Sequence, residues 1–145
     1  MKKRKVLVLC TGNSCRSQMA EGFLRVQDKQ GRFEALSAGV DPKDSVHPFA
    51  VRVMEEIGID ISHQKPKDLK TFLGREAIYA ILVVCDKAKQ TCPRIWPGVM
   101  DQHRYYLPVE DPAEATGTEE DVLHVFRKVR DDISEKISEW LETHP

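Results

Sequence analysis

The sequence has almost no net charge: 22 lysines and arginines stand against 23 acidic residues, leaving −1 at neutral pH. That excludes a global field able to gather nucleic acid or an anionic membrane surface. Long hydrophobic runs are missing too. The opening MKKRK is basic, but the apolar stretch behind it is too short for a secretory core or for the roughly 20 residues of a membrane span. A cytoplasmic protein is expected. No internal repeat, low-complexity tract or linker divides the chain, so residues 1–145 are expected to form a single domain. There is no C-x2-C pair and no histidine at a matching spacing, which removes the usual framework of a zinc site. In a reducing compartment the four cysteines are not a static disulfide scaffold; metal binding, thiol chemistry or burial as small apolar residues remain.

What is present alternates between strand and helix patterns, and 41% hydrophobic residues over 145 positions support one real core. KVLVL at 5–9 is an unbroken β-branched and leucine run, as in a strand buried on both faces. From Ser17 the pattern turns helical, with Met19, Ala20, Phe23 and Leu24 on one face and Asp28 to Gly31 closing the segment. FEALSAG at 33–39 alternates like a second strand. Pro48 opens a helix with Ala50, Val53, Met54 and Ile57 inward, and Gly58 stands where a C′ glycine belongs. AIYAILVVC at 77–85 is a third strand and RYYLPV at 104–109 a weaker fourth. Thr118 caps a long last helix with an apolar stripe of Val122, Val125, Phe126, Val129, Ile133, Ile137 and Trp140. This is an α/β fold: a four-stranded parallel sheet with helices on both faces. Ligands of such sheets bind at the carboxyl ends of the strands. Cys10, Cys85 and the VEDP segment fall at those ends.

Between Cys10 and Arg16 lie only Thr11, Gly12, Asn13, Ser14 and Cys15. A loop of this size between a buried strand and a helix start can turn its backbone N–H groups inward as an anion nest, reinforced by the helix dipole. Gly12 supplies backbone freedom, and Arg16 a planar fork for two oxygens of a tetrahedral anion. At the floor of such a nest Cys10 is expected as a thiolate, with Ser17 able to donate to it. The blander alternative is a strand-ending cysteine before an ordinary helix cap.

The stretch LCTGNSCRSQMAEG at 9–22 resembles the active-site loop of the thioredoxin-coupled arsenate reductases, which share the low-molecular-weight tyrosine phosphatase fold. The resemblance extends to SAG at 37–39, IDIS at 59–62, VVC at 83–85 with a second cysteine at 92, DPA at 111–113 and FRKVRDDI in the last helix. It implies that Cys10 attacks arsenate, Cys85 attacks Cys10 and releases arsenite, and Cys92 attacks Cys85. A Cys85–Cys92 disulfide is then left for thioredoxin or another thiol reductant. Two electrons are needed to take arsenate to arsenite, and two thiols becoming a disulfide supply them. If residues 86–91 are helical, the two cysteines are separated by about 10 Å of rise, more than the roughly 7 Å between Cα atoms that a disulfide allows. That segment must then unwind on oxidation. Two core cysteines, or a zinc site, are the alternatives for the pair.

The resemblance also makes Asp111 a general acid for the departing oxygen, although any Asp-Pro can be a plain turn. Ala113, Glu114 and Ala115 follow it, where phosphatases of this fold carry aromatic residues, and this points to a small inorganic oxyanion. A potassium site at Asn13, Glu21, Ser37 and Asp68 is implied as well, with no tightly bound cofactor otherwise. Cys15 is assigned no step, and the tryptophans and histidines read as packing or surface residues. A phosphatase acting on phosphorylated side chains, and a non-enzymatic thiol switch, are the competing functions.

Overall fold

The computed structural model describes residues 3–72, 75–84, 99 and 101–143. Cys85, Cys92 and Trp96 lie outside the described residues, and so does the expected unwinding of the segment between the two cysteines.

Strand β1 (Arg4–Cys10) is buried without interruption from Val6 to Cys10. Neighbouring residues of a strand point to opposite faces, so both faces of β1 are covered, as its unbroken apolar run requires. It pairs in parallel with β2 (Phe33–Gly39) on one side and β3 (Ile78–Val83) on the other; β4 (Arg104–Tyr106) adds to β3, and the order is β2-β1-β3-β4. The chain leaves β1 for one side and returns to the other, so the strand order reverses beside β1. Cys10 ends the strand at that switch point.

Helix α1 (Arg16–Gln27) follows after the five-residue loop 11–15, one residue earlier than the sequence pattern indicates. Helix α2 spans Pro48–Glu55. The Gly58 N–H donates to the Glu55 carbonyl at 3.0 Å and the Ile59 N–H to Met54 at 3.0 Å, with Gly58 at φ 81°, which is a Schellman closure with glycine at C′. The helix therefore ends before Ile57, and the expectation that Ile57 faces inward is corrected: it is 44% exposed. Ile59 and Ile61, on the far side of the turn, are buried instead.

Helix α3 (Glu119–Thr143) begins with a reciprocal cap: Asp121 N–H donates to Thr118 Oγ1, and Thr118 N–H to Asp121 Oδ2, each at 3.1 Å. Its buried face is Leu123, Phe126, Val129, Ile133, Ile137, Trp140 and Leu141, while Val122 and Val125 are half-buried at its edge. The fourth strand is shorter than RYYLPV. Beyond Tyr106, alternate N–H groups still reach the end of β3, Leu107 to the Val83 carbonyl at 2.8 Å and Val109 to Val84 at 3.0 Å. These two bonds carry residues 109–111 to the carboxyl end of the sheet.

Candidate active site

The loop 11–15 is shaped by where its carbonyls go. Asp41 N–H donates to the Thr11 carbonyl, Lys43 N–H to Gly12 and His47 N–H to Ser14, each at 2.9 Å, while Gln18 Nε2 holds the Asn13 carbonyl at 2.9 Å. In a trans peptide the carbonyl of one residue and the N–H of the next point in opposite directions. Tying these carbonyls to the surrounding scaffold turns the N–H groups of Gly12, Asn13, Ser14 and Cys15 the other way, as an anion nest needs.

Gly12 does not supply the unusual backbone angle, which corrects the sequence reading. The left-handed residue is Asn13, at φ 50°. Its fully buried side chain holds it there: Oδ1 accepts from Gln18 Nε2 at 3.0 Å and from Lys67 N–H at 2.8 Å, and Nδ2 donates to Ser17 Oγ at 2.7 Å. At Gly12 a Cβ would meet Lys43 Cγ at 3.1 Å, a tight contact that a small shift of the lysine side chain would have to relieve. Gly39, paired with Cys10 across the sheet, is tighter still: a Cβ would lie 2.6 Å from the Thr11 carbonyl oxygen.

Cys10 and Cys15 are both buried, and neither is in a disulfide. Burial pushes the Cys15 thiol up to about 11, beyond what the Ser14 hydroxyl and Arg16 offset. Cys15 is therefore protonated at neutral pH. Cys15 is also the residue at the N-cap of α1, and no side chain caps that helix. Its N-terminal N–H groups stay available to an anion.

Arg16 is 6% exposed. Its Nη1 donates to the Val109 carbonyl at 3.0 Å and its Nη2 stands 3.5 Å from Asp111 Oδ2. The buried Nε has no hydrogen-bond partner among the described residues, and a buried donor left unmade is costly. Asp111 has a double role: Oδ1 caps the 3₁₀ turn Pro112–Glu114 by accepting from Ala113 N–H at 3.0 Å, and Oδ2 faces Arg16. The turn and the general-acid readings are thus compatible, because the turn aims the carboxylate. Cys10 to Arg16, Lys43, Asp111, Ala113 and Glu114 enclose a pocket of about 260 Å³.

The structure joins Cys10, the loop, Arg16 and Asp111 at one place. Ser17 accepts from Asn13, leaving its own proton free to be donated. Glu21 and Ser37 are paired, the Ser37 hydroxyl donating to Glu21 at 2.6 Å, whereas Asp68 caps the 3₁₀ turn Leu69–Thr71 through Lys70 N–H at 2.9 Å. Sequence reasoning did not find Val109, Lys43, Gln18 or His47. Val109 acts through its carbonyl, which carries no side-chain signal. His47 caps α2, its Nδ1 accepting from Phe49 N–H at 3.1 Å, and it packs 4.8 Å from the Phe126 ring. Burial holds its pKa below the ordinary histidine value, against the attraction of Asp111.

Residues 5–144 match the low molecular weight phosphotyrosine protein phosphatase family. The chain is 39% identical over 143 residues to an arsenate reductase of Halalkalibacterium halodurans and 38% identical to one of Bacillus subtilis, covering 99% of each protein. Among solved structures it resembles an arsenate reductase in the phosphate binding state, at TM-score 0.77 and 31% identity over 98% of this chain and 99% of the other. It also resembles a low molecular weight protein tyrosine phosphatase from T. tengcongensis, at TM-score 0.80 and 29% identity over 97% and 99%. With its strand-to-helix anion loop, its buried arginine and its parallel four-stranded sheet, the chain belongs to the low molecular weight phosphotyrosine protein phosphatase family.

Proposed function

We propose that the protein reduces arsenate to arsenite, with Cys10 as nucleophile and a Cys85–Cys92 relay returned to the dithiol by thioredoxin. The observation that carries the oxyanion chemistry is Arg16, a buried guanidinium fixed by the Val109 carbonyl with Nε unpartnered among the described residues, at the start of a helix with no side-chain cap. The arsenate reductase relatives, at 38–39% identity over nearly the whole chain, support reduction over hydrolysis, as does the pair of further cysteines.

The loop N–H groups and Arg16 hold arsenate over Cys10. The Cys10 thiolate forms a sulfur–arsenic bond, and one oxygen leaves as water after Asp111 gives it a proton. The Cys85 thiolate then attacks the Cys10 sulfur. The electron pair of the sulfur–arsenic bond stays with arsenic, which departs as arsenite, and a Cys10–Cys85 disulfide remains. Cys92 attacks Cys85, freeing Cys10, and the thioredoxin dithiol reduces the Cys85–Cys92 bond, so the two electrons come from thioredoxin. The protonated Cys15 does not compete as a nucleophile.

The test is NADPH consumption coupled through thioredoxin and thioredoxin reductase with arsenate as substrate, run beside release of nitrophenol from an aryl phosphate. Arsenate-dependent consumption is expected. Aryl phosphate hydrolysis without arsenate reduction would assign the site to phosphate esters, the reading favoured by the likeness to the T. tengcongensis phosphatase.

A further inference from the structure

Several oxygens of the four residues at which a potassium site is expected already have protein partners. Both lone pairs of Asn13 Oδ1 are taken, by Gln18 and by the Lys67 N–H. The Asp68 carboxylate serves the turn at Lys70, and Glu21 takes the Ser37 hydroxyl. Beside Glu21 the chain places a cation of its own: Lys67 Nζ stands 3.9 Å from Glu21 Oε1 and donates to the Lys65 carbonyl at 2.6 Å. Both side chains are largely buried, Glu21 at 13% exposure and Lys67 at 28%.

We propose that the Lys67 ammonium is a built-in monovalent cation for the oxyanion loop, so that loop stability and anion binding do not depend on potassium. Glu21 is a mostly buried carboxylate one helical turn beyond Ser17, and a buried charge needs a partner. Lys67 meets that need through its side chain while its backbone grips the loop. Its N–H donates to Asn13 Oδ1 at 2.8 Å, and its carbonyl accepts from Gly39 N–H at 2.8 Å. One residue thus connects the charge at Glu21 to the left-handed Asn13 and to the strand end that backs Thr11. Burial lowers the Lys67 pKa, with Glu21 opposing. Lys67 is a positioning residue, reaching the anion through Asn13 and the loop.

The experiment compares wild type, Lys67→Gln and Lys67→Arg in potassium and in choline chloride at matched ionic strength. It reads melting temperature and the affinity for inorganic phosphate as the anion probe. The phosphate arm rests on the oxyanion site; the melting arm does not, so failure of that reading and failure of this one are distinguishable. Wild type is expected to give the same values in both salts. In choline, Lys67→Gln is expected to melt lower and to bind phosphate more weakly, by about 5- to 150-fold, the usual range for coupled sites. Lys67→Arg should retain most of both. Recovery of Lys67→Gln by potassium would show the ion entering the place of the ammonium, and loss without recovery would still mark the ammonium as the cation the loop needs. Wild-type values that rise with potassium, or a Lys67→Gln protein equal to wild type in choline, would overturn the proposal.

Discussion

Arg16 Nη2 lies 3.5 Å from Asp111 Oδ2, while Nη1 of the same guanidinium donates to the Val109 carbonyl at 3.0 Å. One buried arginine thus ties the loop after β1 to the segment after β4. The geometry leaves Nε without a hydrogen-bond partner among the described residues and sets a carboxylate at the rim of the pocket, so the proposed anion holder and the proposed proton donor are placed by the same contact.

Arg16→Lys should lose the fork while keeping the charge. Removing a preorganised donor to a developing anion typically costs about 10²–10³-fold in rate, and phosphate binding should weaken in parallel. Steady-state kinetics with arsenate and a phosphate titration check this; unchanged kinetics would remove Arg16 from the anion site.

Asp111→Asn separates the two duties of that side chain. The amide oxygen can still accept from Ala113 N–H, so the turn should hold; the melting temperature should drop modestly as Arg16 loses its carboxylate neighbour, and the proton donor is gone. Arsenate reduction and aryl phosphate hydrolysis should both fall by about 10²–10⁴-fold. A normal rate in both assays would return Asp111 to a turn residue alone.

Gly39→Ala tests the backing of the loop. The new methyl would sit 2.6 Å from the Thr11 carbonyl oxygen and 3.1 Å from Asn13 N, and backbone cannot step aside as a flexible side chain can. Overpacking of this kind costs about 1–3 kcal/mol, which thermal unfolding should show as a drop of several degrees. Phosphate affinity should fall with it.

His47 gives the fold a pH dependence of known sign. Its pKa is lowered by burial, so in the window below about 6.5, the ordinary histidine value, the unfolded chain binds the proton and the folded chain does not. Stability is therefore full above that value and is lost as pH falls through the folded pKa. His47→Asn keeps a helix cap and should flatten the slope of melting temperature against pH in that window.

The elements were legible where local pattern and burial agree. KVLVL reads as a central strand because every side chain from Val6 to Leu9 is apolar, and Thr118 reads as a cap because its oxygen has an orphan N–H to accept from. The extent of α2 was less legible: Ile57 fits the apolar period, but Gly58 closes the helix through Glu55 and Met54, and Ile59 and Ile61 take the core positions. Cys10, Arg16 and Asp111 could be named from spacing and resemblance. Gly12 was given the wrong reason, because the left-handed angle at Asn13 is stabilised by Gln18, Ser17 and Lys67, contacts that span up to 54 positions. The Val109 carbonyl and the Lys67–Glu21 contact are invisible to sequence reasoning on the same ground: they exist only once the strands have been laid side by side.

The relay between Cys85 and Cys92 separates arsenate reduction most directly from phosphate ester hydrolysis. Arsenate is added to the reduced wild type, Cys85→Ser and Cys92→Ser proteins, with arsenite counted and disulfides mapped by mass spectrometry. Wild type should cycle with thioredoxin and show a Cys85–Cys92 bond when thioredoxin is withheld. Cys92→Ser should release one arsenite per molecule, hold a Cys10–Cys85 bond and fail to cycle, while Cys85→Ser should release almost none. All three should keep aryl phosphate hydrolysis, which needs only Cys10, Arg16 and Asp111. Multiple turnover of arsenate by both mutants would contradict the relay and leave the two cysteines as core residues.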